Sequence, residues 1–270
     1  MRIVFLGTGG GRFVIINQLR ATGGIILELD GQMMHIDPGP GALVRAKEYG
    51  VDLTKLTAVI VSHCHPDHCT DAEVVIEAMT HGATKSGGVF IGNGHAVSGG
   101  GDYRPAVSPY HLKAVGRHYA MKPGEKINLD SVEITATPTF HDEPGAIGFV
   151  FRGSKTIGYT SDTAYFSGLE EHFRGCDYLI INVLRPRGKP WPKHMDTDQA
   201  AKLVEKARPG AAILSHFGME MLKSNPYKEA MSIEDETGVK TVAAKDGMIV
   251  ELDGEKKGKR GSGGLGKWIK

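Results

Sequence analysis

Cysteine is scarce in this chain. The three residues Cys64, Cys69 and Cys176 show no C-x-x-C spacing, which excludes a disulfide framework and fits a reducing, cytoplasmic home. No stretch approaches the roughly 20 apolar residues that a membrane-crossing helix needs. The N-terminus, Met1-Arg2-Ile3-Val4-Phe5-Leu6-Gly7, breaks into glycines after one strand length, too early for a signal peptide. Neither sign of charge dominates, since 32 lysines and arginines face 31 aspartates and glutamates for a net +1. No global field therefore draws the protein onto nucleic acid or a membrane, and any electropositive site must be local. Internal repeats of 20 to 50 residues are missing too. So is a dinucleotide fingerprint: Gly7-Thr8-Gly9-Gly10-Gly11-Arg12 follows a strand, but the third glycine of G-x-G-x-x-G falls on Arg12 and no P-loop lysine follows. That segment reads as a tight turn needing positive φ, whose backbone N–H groups are able to line a site.

What is present is a series of short β-branched runs. They are Ile3 to Leu6, Ile25 to Leu29, Met33 to Ile36, Ala58 to Ser62, Val89 to Ile91, Val132 to Thr137, Ile147 to Phe151, Thr156 to Thr160, Tyr178 to Asn182, Ala212 to Ser215 and Met248 to Leu252. Many lack a polar face, which points to sheets covered on both sides. Helical spacing appears between them at Ala200, Leu203, Val204 and Ala207, with Asp196 and Gln199 as a capping box and Pro209-Gly210 as the stop. Gly41 to Tyr49, Asp71 to Met79 and Met219 to Met231, the last interrupted by Pro226, are further helices. Strands and helices interleave, so the class is α/β. The glycine-rich segment 82–105 reads as one long surface loop, a lid or simply mobile. Residues 1–253 read as the folded domain, and 254–270 as a basic, glycine-rich tail, either a solvated extension or an arm that contacts RNA.

The densest chemistry lies in Ser62-His63-Cys64-His65-Pro66-Asp67-His68, directly after the apolar run Ala58-Val59-Ile60-Val61. Three imidazoles and a carboxylate at a strand end are ligands of zinc, manganese or iron, and buried without a cation they would be a desolvation liability. Pro66 stiffens what reads as a loop, so that His63 and His65 converge while Asp67 and His68 turn to a second position. One cation cannot use all four together with further ligands; two can. Cys64 points to the other side of the strand end as a packed thiol, and Cys69 reads the same way.

This run resembles the H-x-H-x-D-H signature of the metallo-β-lactamase superfamily. The resemblance continues in order through Thr139-Phe140-His141, Tyr159-Thr160-Ser161-Asp162-Thr163 and Leu214-Ser215-His216-Phe217-Gly218, with Asp37 in His35-Ile36-Asp37-Pro38-Gly39 matching the family's first aspartate, a support rather than a ligand. It implies a four-layer αββα sandwich with metals at one edge. It also implies that His63, His65 and His141 hold one cation, that Asp67, His68 and His216 hold the other, and that Asp162 bridges them. His194, in Lys193-His194-Met195-Asp196, stands where RNase Z-like phosphodiesterases carry a non-ligand catalytic histidine that stabilises or protonates the leaving group. Two departures bear on the branch. Asn182 stands where those enzymes commonly have a glutamate partner for that histidine, and the span from His141 to Asp162 is too short for the tRNA-binding arm. The small phosphodiesterases without an arm, including those that open cyclic ribose phosphates, fit better.

The expected enzyme is a metal-dependent hydrolase that attacks a nucleotide, cyclic phosphate or RNA-type phosphodiester with a metal-bound hydroxide shared by two cations about 3.5–4 Å apart. Asp67 would bind a cation and orient the hydroxide, and His194 would assist the departing alkoxide. Arg185, Arg187 or Lys189 would neutralise the non-bridging oxygens, or else belong to a solvated rigid loop. Zinc is the first choice of metal and manganese the second, because the proposed ligands are nitrogen and oxygen only. The alternative is a lactone or thioester hydrolase using the same metals. A non-enzymatic, RNA-associated protein is disfavoured because structural zinc sites are closed and usually thiolate-rich. The partner is a small-molecule or nucleotide phosphodiester, with RNA and a homodimer left open and no membrane expected.

Overall fold

The computed structural model describes residues 1–252; the basic tail read at 254–270 lies outside the described residues. In chain order the strands are β1 (Arg2–Gly7), β2 (Thr22–Leu29), β3 (Gln32–Ile36), β4 (Ala58–Val61), β5 (Val89–Asn93), β6 (Arg117–Met121), β7 (Lys126–Leu129), β8 (Val132–Pro138), β9 (Ile147–Arg152), β10 (Thr156–Tyr159), β11 (Tyr178–Arg185), β12 (Met195–Asp196), β13 (Ala211–Ser215), β14 (Thr241–Ala243) and β15 (Ile249–Glu251). They form two mixed sheets, one ordered β15-β1-β2-β3-β4-β5-β6 and the other β14-β13-β11-β10-β9-β8-β7, with β12 paired to β11.

Alternation along the strands shows how the layers arise. In β1, Ile3 and Phe5 join a core shared with Ile134, Phe149, Phe151 and Ile180 of the second sheet, whereas Val4 and Leu6 join a different core with Ala42, Ala46, Val75 and Ile76 of the helices Ala42–Glu48 and Ala72–Met79. In β11, Ile180 faces the inter-sheet core, while Leu179, Ile181 and Val183 pack outward with Leu203 and Val204 of the helix Thr197–Ala207. Two sheets face to face with helices on both outer faces make the αββα sandwich, and burial on both faces explains why the strands read as unbroken apolar runs.

Several sequence expectations change. The segment 82–105 is not one loop: β5 runs through it as a fully buried strand and the helix Gly94–Ser98 follows. Met219 to Met231 is two helices, Met219–Ser224 and Pro226–Thr237; Asn225 adopts φ 73° between them and Pro226 opens the second, where a missing N–H costs nothing. Residues 66–69 are a one-turn helix rather than a loop, with Pro66 again at its start. Asp196 caps Thr197–Ala207 as expected, its Oδ1 accepting from the Gln199 N–H at 2.9 Å. No helix among the described residues is long and apolar enough to cross a membrane.

β3, β4, β5 and β6 are mutually parallel, as are β10, β11, β13 and β14. β1 and β8 point the same way as their respective groups, through antiparallel β2 and β9. The loops after β1, β3, β4, β8, β10 and β13 carry Gly10, Asp37, His63, His141, Asp162 and His216, so one edge of the sandwich gathers residues from the whole length of the chain.

Candidate metal centre

The seven residues expected as ligands come together at that edge. His63, His65 and His141 form one convergent group and Asp67, His68 and His216 a second; His63, His68 and Asp162 form a third that links them. Within the first, His65 Nδ1 lies 3.2 Å from His63 Nε2 and 3.0 Å from His141 Nε2. Within the second, His216 Nε2 lies 3.1 Å from His68 Nε2 and 3.2 Å from Asp67 Oδ2. Asp162 Oδ2 lies 3.4 Å from His68 Nε2 and 3.3 Å from His216 Nε2.

These residues fit cations for a reason of hydrogen count. His68 turns Nδ1 to Asp37 Oδ2 at 2.9 Å, and His141 turns Nδ1 to the Lys193 carbonyl at 3.3 Å. Both partners only accept, so in neutral imidazoles the proton sits on Nδ1 and the inward Nε2 presents a lone pair. Lone pairs aimed at one another inside a buried site are repulsive unless a cation lies between them. The spacings agree, because zinc–nitrogen bonds of about 2.0–2.1 Å place tetrahedral ligand atoms roughly 3.3 Å apart.

Electrostatics carry the same signature. Burial, aided by neighbouring His68, holds the His63 imidazole well below its ordinary pKa. Burial would depress His68 as well, but Asp162, Asp67 and Asp37 overcome it and hold that ring well above its usual value. His194 is pushed down to about 4 by burial against the opposing pull of Asp162. Divergent shifts of this kind within one cluster are the pattern expected of a functional site.

Asp37 is the anchor beneath the cluster. Its carboxylate accepts from the Ser62 N–H (2.7 Å), Ser62 Oγ (2.7 Å) and Tyr159 Oη (2.6 Å) besides facing His68. Asn182 does not serve His194. Its amide donates to Asp162 Oδ1 at 2.8 Å and reaches Tyr159 Oη at 3.3 Å, so it orients the shared carboxylate. His194 sits within the site, its Nδ1 3.6 Å from Asp162 Oδ2 and its ring 4.9 Å from that of His141.

The basic stretch divides. Arg187 is paired with Asp198 and with Glu236 at 2.6 Å, and Lys189 with Glu220 at 3.0 Å, so carboxylates already neutralise both. Arg185 instead lies 4.4 Å over the ring of half-exposed Trp191, whose carbonyl accepts from the His194 N–H at 3.3 Å. Cys64 and Cys69 pack in the outer apolar layer, and burial raises both thiols, as expected of non-ligands.

Sequence reasoning passed over several supports. In the N-terminal turn only Gly11 adopts the positive φ anticipated for it; Gly10 is needed because His216 lies where its Cβ would be, and the Gly11 N–H donates to Asp67 Oδ2 at 3.2 Å. Asp37, Ser161, Lys193 and His216 all take left-handed φ between 52° and 62°, conformations that non-glycine residues hold only when their surroundings enforce them. Glu143, buried beside the His63–His65 turn, was signalled only by its place two residues after His141.

Comparison with known proteins agrees with this geometry. The model of the beta-lactamase superfamily domain matches residues 33–217. An uncharacterised protein of Methanocaldococcus jannaschii is 40% identical over 93% of this chain and 95% of its own length. The probable metallo-hydrolase YhfI of Bacillus subtilis is 26% identical over 86% of this chain and 93% of its own. A ribonuclease Z of Nitrosopumilus maritimus is 21% identical over 93% of this chain and 100% of its own. Among solved structures, YhfI superposes with a TM-score of 0.75 at 21% identity (92% and 97% of the two chains), and a diphosphatase of the PhnP family with 0.68 at 21% (93% and 98%). Those structural likenesses concern the fold alone, but the matched domain spans most of the chain and contains every ligand-bearing loop from Asp37 to His216. On that match the chain belongs to the beta-lactamase superfamily of metal-dependent hydrolases.

Proposed function

We propose that the protein is a phosphodiesterase whose two divalent cations are held by His63, His65 and His141 on one side and by Asp67, His68 and His216 on the other, with Asp162 shared. The cations supply Lewis acidity and an activated water. The observation that carries the phosphodiester reading is His194: it converges with His141 on Asp162 without belonging to either proposed ligand triad, on a segment that also holds Trp191, over whose ring Arg185 lies. Held neutral near pH 7, it donates a hydrogen bond to the departing oxygen rather than arriving as a charged acid. Asp67, fixed by the Gly11 N–H, orients the attacking water. Arg185, which makes no ion pair among the described residues, meets the non-bridging oxygens, and the exposed face of Trp191 receives an aromatic base. The sequence likeness to a ribonuclease Z supports this reading over a carbonyl hydrolase.

The test is His194→Ala assayed on two esters. Metal content should stay near that of the wild type, and turnover of a diester with a poor alkoxide leaving group should fall by roughly 10²–10⁴-fold. The loss should shrink for p-nitrophenolate, which departs with little help. Loss of a cation would make His194 a ligand; unchanged turnover on both esters would remove it from the chemistry; and a wild type that hydrolyses lactones or thioesters but neither diester would overturn the phosphodiester reading.

A further inference from the structure

The pocket formed by His63, His65 and His141 is assembled from two chain segments about eighty residues apart, which must be held in register. Glu143 joins the two. Its side chain is fully buried, yet it carries a carboxylate two residues beyond His141. One carboxylate oxygen accepts from the Cys64 N–H, the peptide between the two ligands His63 and His65. The other accepts from Asn93 Nδ2 at 2.7 Å, at the end of β5, and faces His95 Nδ1 at 3.3 Å, whose ring stacks on Tyr103 with centroids 5.1 Å apart. A backbone bond from the Ile147 N–H to the Ser62 carbonyl (3.2 Å) flanks the same junction, leaving Glu143 as its side-chain half.

A buried carboxylate is costly to desolvate unless fully partnered, so packing alone would be served better by an apolar side chain. We propose that Glu143 is the positioning residue of this metal pocket: it clamps the His63–His65 turn onto the His141 turn and braces both on Asn93 and His95. The proposal rests on the two-cation reading but is independent of what the enzyme hydrolyses.

Glu143→Gln separates the clamp from bulk packing. Glutamine has nearly the same shape, but its one acceptor oxygen cannot serve Cys64 and Asn93 together, and its amide must face one of these donors. The experiment titrates zinc and, separately, manganese into metal-stripped protein against a competing chromophoric chelator, with His65→Ala identifying the step that belongs to this pocket. Glu143→Gln should weaken that step by roughly ten- to hundredfold and leave the other within about threefold, as expected of a support behind the ligands. Asn93→Ser is the second variant, because serine keeps the cap on the helix Gly94–Ser98 while withdrawing the donor from Glu143; it should weaken the same step by about three- to tenfold. Thermal melting of the metal-free proteins supplies the control. A lower melting temperature with both steps unchanged, or both steps weakened alike, makes Glu143 an ordinary core residue and overturns the clamp. Should Glu143→Gln not fold, an unchanged affinity in Asn93→Ser overturns it equally. A wild type that binds neither cation overturns the metal reading and the clamp with it, whereas absence of phosphodiesterase activity alone leaves this measurement intact.

Discussion

Gly10 lies against the imidazole of His216, and an added methyl would clash with its ring atoms Nδ1, Cε1 and Cγ. Because the ring is rigid and His216 is itself held at φ 62°, it cannot swing aside without leaving Asp67 and Asp162. Gly10→Ala should therefore bind less metal and lose at least about tenfold in turnover, a barrier change of roughly 1.4 kcal/mol. Metal analysis beside steady-state kinetics checks this, and wild-type values for both would show that the ring is free to move. Four of the proposed ligands were legible because the six positions from His63 to His68 hold three imidazoles and a carboxylate, whereas His141, Asp162 and His216 stood out only through the family resemblance. Gly10, Tyr159 and Glu143 were not legible, since their value lies in what faces them across the fold. A lone glycine, tyrosine or glutamate carries no such information in its neighbours along the chain.

At the level of elements, the interior strands of both sheets declared themselves, as did the edge strand β15, but the other three edges did not. β6, β7 and β14 went unread, and each closes one end of a sheet. β6 and β7 carry Arg117, His118 and Lys126 on exposed positions, which blunts a sheet edge but erases the apolar pattern. β3, an interior strand, holds a second kind of surprise. His35 is fully buried, its Nε2 2.8 Å from the Gly23 carbonyl and its Nδ1 without a partner. Burial pushes the imidazole down to about 4. The unfolded chain takes up a proton near pH 6.5 and the folded chain does not until far lower, so the stability this residue contributes is present above pH 6.5 and is lost as pH falls toward 4. His35→Gln keeps a donor for Gly23 and removes the titration. In metal-stripped protein, urea unfolding at pH 7 and pH 4.5 should show the wild type losing about 2–3 kcal/mol more than the variant. Parallel losses would mean that His35 accepts its proton inside the fold.

For the whole molecule, the sandwich converts distance along the chain into proximity at one edge. The resemblance carried by five motifs implied this fold, whereas the interleaved α/β pattern alone would not have singled it out. Asp37 at the end of β3, Asp162 after β10 and His216 after β13 are brought within one hydrogen-bonded cluster, with His68 touching the first two and facing the third. The pairing of the proposed ligands into two groups depends on that convergence, and so does the proposed sharing of Asp162 by two cations. A crystal of the protein grown with zinc and measured on both sides of the zinc absorption edge tests it most directly. The account expects two anomalous peaks per chain, one among His63, His65 and His141 and one among Asp67, His68 and His216, with Asp162 between them. A single peak, or a pair that leaves Asp162 uncoordinated, would contradict it.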